Sequence, residues 1–269
     1  MKKVGEPLAF DFEPKDHLEL SAPHGWIDVE RGAKVSGSRF VYRVGDVALL
    51  ETALYRWALA RIVAKGHVPV LPPVLVREEA MYGTGFFPSE KGDFYSVPDD
   101  DLYLVGTSEV PLAAFHMGEE LDDVPLRYVA LSTCFRREAG AAGRDTRGMF
   151  RVHQFDKVEM FVFCDPSTSR EEHERLLDIE AWFPGQSRYR EITSTSNTTD
   201  FQARRLDIRF RRGGKLEHVH TLNGTAVTAR AMIAILENFQ HEDGSISVPE
   251  PLVEFGAPAK LGAERVSSK

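Results

Sequence analysis

Cys134-Phe135-Arg136-Arg137-Glu138, a glycine-spaced stretch, then Arg151-Val152-His153-Gln154-Phe155 with Glu159 four residues on: this part of the chain decides the fold. If the first run ends a strand, the two-residue period puts Arg136 and Glu138 on one face. Gly140, Gly143 and Gly148 suit a hairpin loop, and the same rule aligns Arg151, Phe155 and Glu159 on the returning strand. A cation, a carboxylate and an aromatic ring then share an open antiparallel floor. The set suits a nucleotide: a guanidinium for a phosphate, a carboxylate for an adenine amino group, a ring for stacking. Arg230, on an apolar helix after Asn223, would close the stack from above.

Outward from this hairpin, strands follow one another on short turns with helices outside them. That order predicts an α+β domain, an antiparallel sheet flanked by helices. On the N-terminal side, Asp46 is placed to cap a helix over 47–65 with apolar positions Val47, Leu50, Leu54, Trp57, Ala58 and Ile62, stopped by Gly66. Residues 67–76 then run extended through Pro69, Pro72 and Pro73, which excludes a central strand with a full ladder. Short strands are expected at 39–43 and on either side of 98–101, and long ones over 126–138 and 151–163. Further on, the pattern predicts a helix over 170–177, strands over 179–183, 188–193 and 216–222, and a helix over 225–239. Residues 1–38 read as an irregular lead-in packing on the domain, 39–255 as the domain, and 256–269 as a tail.

The 269 residues are 42% hydrophobic and 28% charged, ordinary for a globular protein and long enough for a substantial core. A formal charge of -8 gives bulk electrostatics no part in nucleic-acid binding. Such contact would have to come from local arginine clusters, either 136, 137, 144, 147 and 151 or 204, 205, 209, 211 and 212. Cys134 and Cys164 make no disulfide framework and fit a reducing compartment. With no apolar run near the ~18 residues of a membrane span, the expected location is cytoplasmic, with no membrane partner.

Phe-Arg-x-Glu, a loop and Arg-x-x-x-Phe resemble motif 2 of the class II aminoacyl-tRNA synthetases, and Arg230 at the head of an apolar helix resembles motif 3. The helix and proline-bearing strand at 47–76 resemble motif 1, with Pro73 as its proline. Val35-Ser36-Gly37-Ser38-Arg39-Phe40, Gly106-Thr107-Ser108-Glu109-Val110, Asp200-Phe201-Gln202-Ala203-Arg204-Arg205 and Thr221-Leu222-Asn223-Gly224-Thr225 narrow the likeness to the bacterial seryl-tRNA synthetases, over about 4–255. Two features depart from that family. Its N-terminal helical arm is not among these residues, and the chain passes from Leu177 straight to Asp178 where the family has several tens of residues more.

The resemblance implies ATP, magnesium, L-serine and the acceptor end of serine tRNA as ligands, and a homodimer through 47–76. For ATP it selects Arg136, Arg137, Glu138, Arg151, Val152, Phe155, Glu191, Ile192, Thr193, Ser194 and Arg230. Within that set Arg136, Arg230 and Glu191 would act in catalysis, and Glu191 would hold magnesium. For serine it selects Thr107, Ser108, Glu109, Glu159, Asn223 and Thr225, with Thr225 also a possible helix cap. Arg144 and Arg147 would meet the tRNA acceptor. No zinc is expected: some relatives that load carrier proteins bind it through Cys, Glu and Cys, but here Thr195 stands at a position where many bacterial members have cysteine. Amino-acid activation needs both reactants held and phosphate charge spread, not a protein nucleophile. The implied reaction is seryl-adenylate formation, then seryl transfer to tRNA, with activation outlasting charging if the arm is missing. The alternatives are a ligase loading a carrier protein or small metabolite, and an inactive regulatory paralogue.

Overall fold

The computed structural model describes residues 4–139 and 147–262. Chain order gives the site its parts: strand β1 (Val68–Val70), β2 (Leu126–Phe135), β3 (Gln154–Cys164), β4 (Ile179–Phe183), β5 (Arg188–Thr193), β6 (Thr195–Thr199) and β7 (His220–Thr228). The helices that position them are α1 (Asp46–Val63), α2 (Glu109–Ala113), α3 (Ser169–Glu174), α4 (Phe201–Leu206) and α5 (Ala229–Asn238). The main sheet runs β6-β7-β3-β2-β1. Its pairs are antiparallel except β1 with β2, which is parallel. Pro69 sits in β1 at the sheet edge, where its missing N–H costs no ladder bond.

The period of β3 assigns its two faces. Val158, Met160, Val162 and Cys164 turn toward α1 and join one core with Val47, Leu50, Ala53, Leu54 and Ala58. Phe155, Lys157 and Glu159 turn the other way and form the floor of the site, with Phe161 and Phe163 continuing into a second core. The helix α1 buries its apolar stripe at the expected spacing, but Asp46 is its first residue. Gly45, at φ 64°, takes the cap position without a side-chain bond.

Several boundaries differ from expectation for physical reasons. The long strands end at Phe135 and begin at Gln154, so Arg136, Glu138 and Arg151 lie beyond the ladder; Glu138 is at φ 53°. The expected strand at 67–76 is broken into β1 and Leu75–Arg77, because Pro72 and Pro73 interrupt pairing. Thr225 belongs to β7 and not to a helix: pairing with β3 persists to Thr228, whose hydroxyl caps α5 by accepting from the Arg230 N–H. The lead-in is less irregular than its composition implied, since Asp16 caps a helix at His17–Ser21 while Glu19 accepts in return from the Asp16 N–H, and Asp28 caps another at Val29–Ser36. His17 fastens this lead-in by donating to buried Glu237 of α5 at 2.9 Å and accepting from the Met149 N–H at 3.2 Å.

At the junction after α3, Leu177 and Asp178 are exposed. Thr193 Oγ1 donates to the Leu177 carbonyl at 3.0 Å, and Asp178 Oδ1 accepts from the Thr195 N–H at 2.6 Å. A cavity of about 660 Å3 opens beside it, lined in part by Trp57, Ile62, Leu176, Leu177, Ile179 and Thr225. Among the described residues no helix is long and apolar enough to cross a membrane.

Candidate active site

A cleft of about 220 Å3 lies on the β2–β3 floor under the start of α5. Arg136, Glu138, Arg151, Val152, Phe155, Glu191, Ile192, Thr193, Ser194, Thr225 and Arg230 line it, together with Lys157. The hairpin thus brings its polar residues together through irregular chain just past the strand ends. The Arg136 N–H donates to the His153 carbonyl at 2.9 Å, which holds the two strand exits side by side.

The Arg136 guanidinium is anchored by Nε donating to the Gly106 carbonyl at 3.1 Å and lies 5.3 Å from the centre of the Phe155 ring. No other hydrogen bond engages this guanidinium among the described residues, which leaves donors for oxygens in the cleft. Glu138 is ion-paired with Arg151. Arg230 donates to the Glu191 carbonyl at 3.1 Å, and its burial pushes the guanidinium below its usual range, opposed by Glu191. The Glu191 carboxylate is more than half exposed and 3.9 Å from Arg230. Arg137 is not among the lining residues; its guanidinium stands 5.8 Å from the Tyr95 ring. Arg147 is exposed and pairs with Asp16 at 3.2 Å, while Arg144 lies outside the described residues.

The other end is polar and enclosed. Opposite Thr225 on the neighbouring strand, Glu159 is fully buried and accepts from Thr225 Oγ1 at 3.1 Å and from Asn223 Nδ2 at 3.3 Å. Lys157 Nζ reaches Glu159 at 2.7 Å and donates to Thr107 Oγ1 at 2.6 Å. Thr107 also accepts from the Glu109 N–H at 3.1 Å. Glu109 is half-buried by surface, yet its surroundings push its carboxyl up to about 7, through burial first and Glu159 second, against Lys157, Gln202 and Arg136. Asn223 Oδ1, Ser108 Oγ and Arg151 Nε are buried without a hydrogen-bond partner among the described residues. An unsatisfied buried polar atom costs about 1–3 kcal/mol, so a ligand that pairs Asn223 and Arg151 at the two ends of the site would gain by doing so.

Two residues here were missed by the sequence reading. Lys157 has the same parity as Phe155 and Glu159, and the two-residue rule alone would have found it. Gln202 lies in the 200–205 stretch, where no role was expected of it; its partner Glu109 lies 93 residues away, beyond any local pattern. Both cysteines are buried free thiols, and the described residues hold no group of three or more His, Cys, Asp or Glu side chains placed to hold a metal.

The pattern of the tRNA synthetase class II core domain (G, H, P, S and T) matches residues 94–177 and 172–239. Its two pieces meet at 172–177, beside the short junction. The chain is 52% identical to the serine–tRNA ligase of Thermobifida fusca over 290 residues, covering 95% of this chain and 69% of that protein. Seryl-tRNA synthetase from Pyrococcus horikoshii, solved with ATP, superposes with a TM-score of 0.89 at 44% identity, over 93% of this chain and 64% of that one. The cytoplasmic serine–tRNA ligase of Naegleria fowleri, solved with AMP, gives 0.89 at 33% identity, over 96% and 70%. The chain therefore belongs to the class II aminoacyl-tRNA synthetases, and within them to the serine–tRNA ligase family.

Proposed function

We propose that the chain activates L-serine with ATP to seryl-adenylate and pyrophosphate, and passes the seryl group to the 3′ end of serine tRNA. One observation carries this reading: a set of polar side chains, buried Thr107 and Glu159 with half-buried Asn223 and Thr225, abuts the arginine-lined cleft. A nucleotide in the cleft and a small hydroxylated amino acid in the pocket would then meet near Arg136. The serine carboxylate attacks the α-phosphorus, the new C–O–P linkage forms, and the bond to the β-phosphate oxygen breaks. Arg136 carries the growing charge on the α-phosphate, and its planar fork can also orient the attacking carboxylate. Phe155 and Arg230 serve the adenine as ring and cation, and Glu138 its amino group.

A single exposed carboxylate at the rim, Glu191, fits an ion whose other ligands are phosphates and water. Magnesium bound there would neutralise the leaving pyrophosphate. Arg147, with Arg144, would meet the acceptor end of the tRNA. Two buried free thiols fit a cytoplasmic protein. The relatives named are tRNA ligases and give no support to the carrier-loading or regulatory alternatives.

Amino-acid-dependent ATP–pyrophosphate exchange tests the proposal. Serine alone should support exchange, with alanine behind by a factor of about 10⁴, because a pocket built to bond a hydroxyl leaves its groups unpaired without one. Arg136→Ala should lower the rate by about 10²–10³ with unchanged thermal unfolding. A clear preference for another amino acid would refute the reading.

A further inference from the structure

The stretch Asp200–Arg205 contributes nothing to the steps above, yet it carries one of the most buried polar side chains in the molecule. Gln202, on α4, is 1% exposed. Its Nε2 donates to Glu109 Oε1 at 2.8 Å, and its Oε1 accepts from Thr221 Oγ1 at 2.9 Å. A carboxylate only accepts, so the amide must present its NH2 to Glu109, and the Thr221 hydroxyl completes the other end. Thr198 in turn donates to the Thr221 carbonyl at 2.9 Å, tying this chain of bonds to β6.

The two carboxylates of the pocket are therefore unlike. Glu159 has both oxygens taken, by Asn223 on one and by Thr225 and Lys157 on the other. Glu109 has one oxygen on Gln202, and no protein hydrogen bond reaches its second from the described residues. An amino acid brings an ammonium with three protons, and Glu109 is the acceptor with capacity left. We infer that Gln202 is a positioning residue of the amino-acid subsite, holding one oxygen of Glu109 so that the other receives the substrate ammonium. The inference rests on the proposed serine activation and extends it.

It also has a pH signature. The charged groups facing Glu109 are Glu159 and Lys157 of β3 and Arg136 past the end of β2, with the neutral Gln202 amide from α4. Glu109 must be ionised to accept from an ammonium, so serine capture should fail as pH drops through about 7. The Gln202 amide favours the ionised form, and its loss moves this limb upward.

The test is serine-dependent exchange by Gln202→Leu and by the near-isosteric Gln202→Glu, with kcat/KM for serine followed from pH 5.5 to 9. Both variants should raise the KM for serine about tenfold at pH 7, the loss expected of one charge-assisted hydrogen bond. The acid limb should move up by about one pH unit, with the KM for ATP unchanged and the Gln202→Leu defect shrinking toward pH 9. An unmoved limb in both variants, or KM values for serine and ATP rising together, overturns the inference while leaving serine activation intact. Absence of serine-dependent exchange in the unaltered protein overturns the activity reading, and the inference with it.

Discussion

Glu109 shows how a single carboxyl sets the terms of this site. Its folded pKa of about 7 lies above its ordinary 4.5, so folding favours the protonated form. The contribution to stability is fully present below about pH 4.5 and is lost as pH rises through about 7. Glu109→Gln should therefore melt about 2–4 °C above the parent at pH 8, with the gap closing by pH 5, while exchange is lost. Scanning calorimetry at the two pH values checks this; an equal gap at both would show that Glu109 is not the titrating group. The residues of the hairpin floor were legible because strand parity is a local rule. Lys157 obeyed the same rule and was still missed. Gln202 was illegible, because a bond across 93 residues leaves no trace in spacing.

At the level of elements, the sheet floor is tied to α1 by a polar cluster on the face away from the cleft. Arg43 Nε contacts buried Glu51 of α1 at 2.6 Å, and its guanidinium reaches Asp156 of β3 at 3.4 Å. Tyr55 donates to Glu51 at 2.7 Å and Thr133 to Asp156 at 2.6 Å. Burial holds the Glu51 carboxyl above its usual range in spite of Arg43. Arg43→Met would leave two carboxylates without their cation, and should cost about 3 kcal/mol in urea unfolding at pH 7. Part of that loss should return on acidification, since a carboxyl raised in the fold contributes its stability below its unfolded pKa. The strands at 179–183 and 188–193 match residue for residue, whereas the single strand expected over 216–222 is split between Lys215–His218, paired with Arg209–Arg212, and β7 of the main sheet. The start of α5 was not predicted, because β7 competes for residues 225–228 through pairing with β3, and pairing is not written in the local sequence.

For the molecule as a whole, the β1 edge of the main sheet, which pairs with no further strand among the described residues, is the notable surface. Leu71, at 84% exposed, and Val68, at 55%, stand on or just past β1, and a hollow of about 680 Å3 bounded by Leu71, Tyr42, Arg43 and Thr52 adjoins it. An open edge with apolar side chains invites a second strand system. We propose that a twofold copy covers it through 47–76, as the class II likeness implies. Sedimentation at micromolar concentration should give a dimer, and Leu71→Asp should shift it to monomer. A monomeric parent protein would refute this assembly.

The exposed junction at Leu177 and Asp178 has a different kind of consequence. Both ends are anchored, by Thr193 and by Thr195, so the chain could be opened between them without disturbing either flank. A flexible loop there would add only about 0.6 kcal/mol for each doubling of its length. The position is thus a natural splice point, where a reporter module or a longer relative's segment could be grafted next to the nucleotide wall. A graft of this kind would convert occupancy of the cleft into a readable signal, making the enzyme a scaffold for a sensor of its own substrates.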